Sequence, residues 1–147
     1  MTLLDAKQYD PTLERRRRIK IASSVALILV LAWLGWMYRN WPEERIVDRF
    51  FDALQKADFD AAYGTWMNDP QWKQHPEKHS QYPFNEFYRD WGPGGEWGIV
   101  KSHKIYGSLN PKGGSSGVIV EVVVNARTEH ARIWVQKDDK TLSFSPY

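Results

Sequence analysis

With 147 residues and a formal net charge of +2, the chain has room for one domain and lacks the excess of positive charge typical of nucleic-acid-binding proteins. The absence of cysteine excludes a disulfide framework and thiolate chemistry. Aromatic residues make up 14% of the sequence, which provides bulky material for a core even if part of the chain lies outside the domain.

The first predicted element is an apolar segment, residues 21–38, that contains no charged side chain. At a rise of 1.5 Å per residue, about 18 residues nearly span a hydrocarbon core of roughly 30 Å. Trp33, Trp36 and Tyr38 lie at its C-terminal end, and amphipathic rings favour the level of the lipid headgroups. The sequence therefore predicts a transmembrane helix over residues 21–38.

A block of basic residues, Arg15–Arg18 and Lys20, precedes the apolar segment. Such blocks also occur in nuclear-localisation and nucleic-acid-binding sequences, but this position favours a membrane-topology signal. A cleaved secretory signal needs small residues before its cleavage site, whereas Trp33, Leu34 and Trp36 are bulky. We therefore expect an uncleaved anchor.

The charges on the two sides of the apolar segment predict its orientation. The C-terminal side mixes both signs, with Arg39, Glu43, Glu44 and Arg45. By the positive-inside rule, residues 1–20 form a basic cytoplasmic tail and residues 39–147 form an extracytoplasmic domain. The expected location is the plasma (inner) membrane of a bacterial-type cell.

Helices are predicted at the start of this domain. Pro42 suits a first helical position, and apolar residues then recur at spacings of three and four, at Ile46, Val47, Phe50, Phe51 and Leu54. Asp58 is expected to cap a second helix, and Asp69 to cap a short turn that ends near Trp72. A further helix covers residues 84–91 and ends at the glycines that follow.

Beyond the glycines, the apolar pattern changes from a helical period to that of strands. Strands are predicted over residues 97–109, 118–127, 131–137 and 141–145. A loop over residues 110–117 and two shorter turns join them. Helices followed by hairpin-connected strands indicate an α+β fold with an antiparallel sheet of about four strands.

The segment PEERIVDRFFDALQKADFDAAYGTW, which begins at Pro42, is similar to the opening of domains in the nuclear transport factor 2-like superfamily. The similarity rests on a helix with paired apolar residues and on the run Asp58–Tyr63, and it extends over about residues 42–145. It implies a cone-shaped domain with two or three helices packed on a curved antiparallel sheet. Such cones include isomerases, dehydratases, transport adaptors and domains without a known ligand, so the resemblance implies architecture and not chemistry.

Few polar residues are candidates for chemistry. His103 and Glu121 lie in predicted strands and are candidate pocket groups if they face the interior, or ordinary surface residues if they face solvent. His75 and His79 have the spacing of a helical metal pair, but Pro76 disfavours helical dihedral angles at His75, so we expect a solvated loop. We assign no catalytic residue, no cofactor-binding residue and no metal ligand.

Aromatic residues crowd a segment rich in proline and glycine between about residues 72 and 98. The first interpretation is that this segment packs across the open end of the sheet as core. The alternative is an exposed patch that docks another protein or the membrane surface. In that alternative the candidate partner-binding residues are Trp72, Tyr82, Trp91 and Trp97.

The sequence thus predicts a membrane-anchored accessory or protein-binding domain without catalytic activity. Its expected partners are the membrane and another membrane or periplasmic protein; homo-oligomerisation stays open, and nucleic acid is excluded. The alternative is a small-molecule-binding or isomerase/dehydratase-like cone enzyme, which needs a hollow apolar pocket. In the binding domain, apolar side chains close the interior, among them Phe50, Leu54, Trp66, Phe87, Val122 and Trp134.

Overall fold

The computed structural model describes residues 11–146, and these divide into two compact units with a boundary at Asn40. In the first unit, helix α1 runs over Pro11–Met37, and none of its residues is buried. This helix is long and apolar enough to cross a membrane, as predicted for residues 21–38. The first half of the predicted cytoplasmic tail and Tyr147 lie outside the described residues.

The second unit begins with three α-helices, α2 (Trp41–Gln55), α3 (Phe59–Trp66) and α4 (Phe84–Trp91). Pro42 lies in the first turn of α2, where a missing N–H costs no hydrogen bond. The Asp58 carboxylate accepts a hydrogen bond from the N–H of Ala61 (3.0 Å) and caps α3, as predicted. Two 3-10 turns, Trp72–Gln74 and Pro76–His79, connect α3 to α4 where the sequence predicts one short turn.

The rest of the second unit is one antiparallel sheet, with its strands side by side in chain order: β1 (His103–Leu109), β2 (Gly117–Val124), β3 (His130–Gln136) and β4 (Leu142–Phe144). Val122 pairs with Ile105 on one side and with Ala131 on the other, which defines the register of the first three strands. A bulge interrupts β1 between Ile105 and Gly107. An antiparallel sheet that follows the helices is the predicted α+β architecture.

The core lies between the helices and one face of the sheet. Because strand side chains alternate between faces, every second residue of β2 and β3 points into this core. The side chains without any exposed surface include Val47, Phe50, Phe51, Phe87, Val118, Val120, Val122, Val124 and Val135. Five of the residues predicted to close the interior are buried there: Phe50, Leu54, Trp66, Phe87 and Val122.

Trp134 lies instead on the opposite face of the sheet. It sits between Ile133 and Val135, which both point into the core, so alternation turns Trp134 outwards. Its ring covers Gly117, where an added Cβ atom would lie 2.3 Å from Cε2 of Trp134. The prediction that Trp134 closes the interior is therefore wrong.

The first strand begins later than expected, at His103 instead of Trp97. The side-chain amide of Asn125, directly after β2, binds the backbone of this segment and accepts a hydrogen bond from Lys101 N at 2.7 Å. Backbone groups that bond to a side chain need no strand partner. Residues 97–102 are therefore an irregular segment held against the end of β2.

Candidate functional site

An open groove lies beside β4, between that strand and residues 78–82, which we call the facing segment. Its volume is about 510 Å³, and ligand pockets typically measure about 300–1,000 Å³. Trp66, Leu142 and Phe144 contribute apolar surface, and the facing segment contributes polar groups. A concave surface with apolar lining and a few fixed polar groups is the usual form of a binding site.

Asp69 joins His79, which belongs to the facing segment, to His75, which precedes that segment. His75 Nδ1 and His79 Nε2 both lie 3.0 Å from the same oxygen of Asp69, Oδ2. The other oxygen, Oδ1, accepts a hydrogen bond from Gln71 N at 3.0 Å. The side chain of His79 lines the groove and is 12% exposed, so the carboxylate fixes the orientation of an imidazole at the site.

These contacts also fix the charge of Asp69. The hydrogen bond from His79, supported by those from His75 and Gln71 and opposed by burial, lowers the pKa of Asp69 from 3.8 to about 2. Asp69 is therefore ionised at neutral pH. Within residues 11–146, no three His, Asp or Glu side chains are arranged to hold a metal ion.

Two tyrosines fix the other end of the facing segment. The hydroxyl of Tyr63 donates to the carbonyl of Tyr82 (2.7 Å), and the hydroxyl of Tyr82 donates to Asp90 Oδ2 on α4 (2.9 Å). Burial raises the pKa of both phenols, and the Asp90 carboxylate raises the pKa of Tyr82 further. Both hydroxyls therefore stay protonated. Because they hold the facing segment in place before a ligand binds, the entropic cost of binding is lowered.

The four aromatic residues predicted as partner-binding candidates do not form one exposed patch. Trp91 and Trp97 are buried, with 2% and 8% of their surface exposed, so neither presents a ring to a partner. Trp72 is half-buried and stacks on Phe84, with ring centroids 5.0 Å apart. Tyr82 lines the groove but is also half-buried against the core. This packing agrees with the first interpretation, in which the aromatic segment is core.

His103 and Glu121 lie on opposite faces of the sheet and away from the groove. His103 is covered by α2, where its ring nitrogens lie 3.1 Å from Asp48 Oδ1 and from Gln55 Oε1. Glu121 lies on the outer face and accepts a hydrogen bond from Arg132 Nε at 3.0 Å. Both groups are thus satisfied by neighbouring side chains, as structural polar residues are.

Sequence reasoning does not identify Asp69 and Phe144 as site residues. One oxygen of Asp69 has the predicted capping role, while the other binds histidines six and ten residues later. That contact depends on two successive 3-10 turns, where the sequence predicts one short turn. Phe144 lies in the last strand, where 51% of its surface is exposed. The feature of the sequence that could have identified Phe144 is an aromatic residue between two serines, in a last strand that contains no charged residue.

No protein-family model matches this chain, and neither a curated protein nor a solved structure matches it. Membership of the nuclear transport factor 2-like superfamily therefore stays a prediction. The function has to be inferred from the geometry of the groove.

Proposed function

We propose that α1 anchors the protein in a membrane and that the second unit binds a protein partner in the groove without catalysing a reaction. The packed core supports this function, because the fully buried Phe50, Val120 and Val122 fill the space between helices and sheet where an enzyme would need a hollow pocket. The groove itself is the main support for this proposal. It is open, its facing segment is held in place, and Phe144 is exposed in it. Exposed apolar surface beside polar groups is typical of protein-binding sites.

The proposed setting is the inner membrane of a bacterial-type cell, with the N-terminus in the cytoplasm and the second unit outside. The basis for this orientation is the block Arg15–Arg18 with Lys20 on one side of the apolar segment. We also propose, from the resemblance of residues 42–145, that the second unit is a nuclear transport factor 2-like cone. Its α+β architecture with an antiparallel sheet of four strands is compatible with that assignment.

Catalysis on a small molecule is a second candidate function, and the contact between Asp69 and His79 favours it. A carboxylate that orients a histidine at the edge of a groove is an arrangement used for general bases. In this alternative the groove holds the small substrate of an isomerase or dehydratase and no protein.

Single cysteines test both functions, since the natural chain contains none. Gln81→Cys places a thiol at an exposed position that lines the groove, and Lys112→Cys is the matched control in the exposed loop between β1 and β2. A membrane-impermeant maleimide is applied to spheroplasts that produce the full chain. The reaction rate of each cysteine is then compared between native membranes and the chain purified in detergent.

We expect the maleimide to label Lys112→Cys from outside, and at equal rates in both preparations. Gln81→Cys should react at least about fivefold more slowly in native membranes than in the purified chain, because a bound partner covers the groove. Equal rates for Gln81→Cys in the two preparations would contradict the presence of a partner, and failure to label Lys112→Cys from outside would contradict the orientation. Protection that disappears when small molecules are washed from the membranes would favour the enzyme.

A further inference from the structure

In the part of the chain that the structure describes, residues 11–146, the side of β4 that faces away from β3 has no strand partner. Thr141 and Ser145, which flank β4, form backbone hydrogen bonds to the β3 side of the sheet. In an antiparallel ladder, consecutive residues direct their N–H and C=O groups alternately to opposite sides. Leu142 and Phe144 therefore direct these groups away from β3, and neither forms a backbone hydrogen bond to another segment within residues 11–146.

This edge faces the groove. The groove is lined by four consecutive residues, Thr141–Phe144, and is bordered on its other side by the facing segment. Asp69 and Tyr63 hold the facing segment in place through His79 and the Tyr82 carbonyl. An elongated space beside an unpaired strand accepts a chain in extended conformation, because that chain can bond to the free N–H and C=O groups.

The β4 edge carries none of the residue types with which proteins block edge strands, and its protection is its length of three residues. Leu142–Phe144 contains no charged residue, no proline and no bulge in its pairing with β3. The opposite edge of the sheet, β1, carries Lys104 and a bulge between Ile105 and Gly107. An edge without charge or bulge is a template for a further strand.

We propose that the groove binds an extended segment of a partner protein, which adds to the sheet as a fifth strand beside β4; this inference rests on the proposed protein-binding function. Alternate side chains of the segment pack on Phe144 and Trp66 and are apolar. Lys78 lines the groove, and its ammonium group has no partner in the described part of the chain, whereas the Asp139 carboxylate already accepts two hydrogen bonds from Thr141. The segment therefore carries an Asp or Glu that faces Lys78.

A second copy of the chain fits this edge less well. Pairing through two copies of β4 would bring a second facing segment and a second Lys78 into the groove, and like charges repel. An edge of only Leu142–Phe144 also offers few backbone bonds with which to join two folded domains. A single extended segment lies in the groove without bringing a second folded domain against the β4 edge.

Peptide selection on the full chain in lipid nanodiscs tests the proposal. The probe is a phage library of random heptapeptides, and selected peptides should alternate apolar and polar residues and include Asp or Glu. The most enriched peptide is synthesised with fluorescein, and its affinity is measured by fluorescence anisotropy. It is then N-methylated at one residue at a time. Methylation should weaken binding about tenfold at two residues that lie two positions apart and little elsewhere, because Leu142 and Phe144 are the two residues of β4 that direct backbone groups to an added strand.

Two variants of one edge residue test the same contact from the protein side. Phe144→Pro removes the ring and the free N–H, whereas Phe144→Val removes the ring and keeps the N–H. We expect the peptide to bind about tenfold more weakly to Phe144→Pro than to Phe144→Val. Unchanged circular dichroism and melting temperature show that both variants fold. Lys78→Glu should abolish the preference of selected peptides for Asp and Glu.

Strand addition would be overturned if no binding peptide is recovered or if both Phe144 variants bind equally. It would also be overturned if the methylation losses do not fall on two residues that lie two positions apart. A dimer of the purified chain that Phe144→Pro dissociates, measured by mass photometry, would assign the edge to a second copy and overturn it too. Protection of Gln81→Cys in native membranes reports separately on whether the groove holds a protein. Strand addition can therefore fail in the peptide experiments while the proposed function stands.

Discussion

Replacement of Phe50 by alanine should remove much of the stability of the second unit. Phe50 has no exposed surface, and its ring centroid lies 5.0–6.1 Å from the rings of four neighbours, Phe51, Trp66, Phe87 and Trp91. Loss of a buried Phe side chain costs about 3–5 kcal/mol, and an aromatic pair contributes about 0.5–1.5 kcal/mol beyond its buried area. Because four aromatic pairs are lost with the ring, we expect a decrease at the upper end of the range for a buried Phe, about 5 kcal/mol, out of a total of about 5–15 kcal/mol for a typical domain.

Urea unfolding of the full chain in detergent micelles, followed by tryptophan fluorescence, measures this loss because Trp66 and Trp91 contact Phe50. Tyr106→Ala is the matched control, since 67% of the Tyr106 surface is exposed. Its ring pairs with that of His130, with centroids 4.4 Å apart, so the substitution should lower the free energy of unfolding by at most about 1.5 kcal/mol. If Phe50→Ala unfolds at nearly the same urea concentration as the wild type, the core does not depend on Phe50 and the reasoning is refuted.

Three further outcomes concern pH, packing and orientation. The pKa of Asp69 is lowered from 3.8 to about 2, so its hydrogen bonds contribute stability above about pH 4. This stability is lost as the pH falls towards 2. The difference in melting temperature between wild type and Asp69→Asn should therefore shrink between about pH 4 and about pH 2. Gly117→Ala should cost about 1–3 kcal/mol because its Cβ meets the ring of Trp134, whereas Gly107→Ala, which has open space, should cost less in urea unfolding. Neutral residues at Arg15–Arg18 should produce both orientations, measured with a C-terminal reporter that is active only outside the cytoplasm.

Each of these outcomes has a clear opposite. A melting-temperature difference for Asp69→Asn that stays constant down to pH 2 would contradict the lowered pKa. Equal costs for the two glycine substitutions would contradict the position of Trp134 over Gly117. An unchanged reporter signal after loss of the basic block would contradict the topology assignment.

The helices could be predicted because their signals are local. Asp58 caps α3 through a residue three positions later, and the apolar spacing in residues 84–91 predicts α4 with its observed bounds. The start of β1 could not be predicted in this way. It depends on Asn125, whose side chain binds the backbone of residues 97–102 from a distant part of the sequence.

The face of Trp134 and the members of the site also depend on tertiary structure. A strand rich in apolar residues does not reveal which set of alternate residues points inwards, and the register with β2 turns Trp134 outwards. The backbone of His75 is not helical, as Pro76 predicts, but the prediction of a solvated loop is wrong for His79, which ends a 3-10 turn and has a side chain only 12% exposed. His75 still meets His79 at Asp69, because the two 3-10 turns bring all three side chains together.

Photocrosslinking in native membranes tests most directly whether the groove holds a protein partner. The photoreactive residue p-benzoylphenylalanine replaces Gln81 at the groove or, as the control, Lys112 in the loop between β1 and β2. We predict a discrete product of higher mass from the Gln81 position, no such product from the Lys112 position, and loss of the product in Phe144→Pro. No product from the Gln81 position, or equal products from both positions, would contradict binding of a protein partner in the groove.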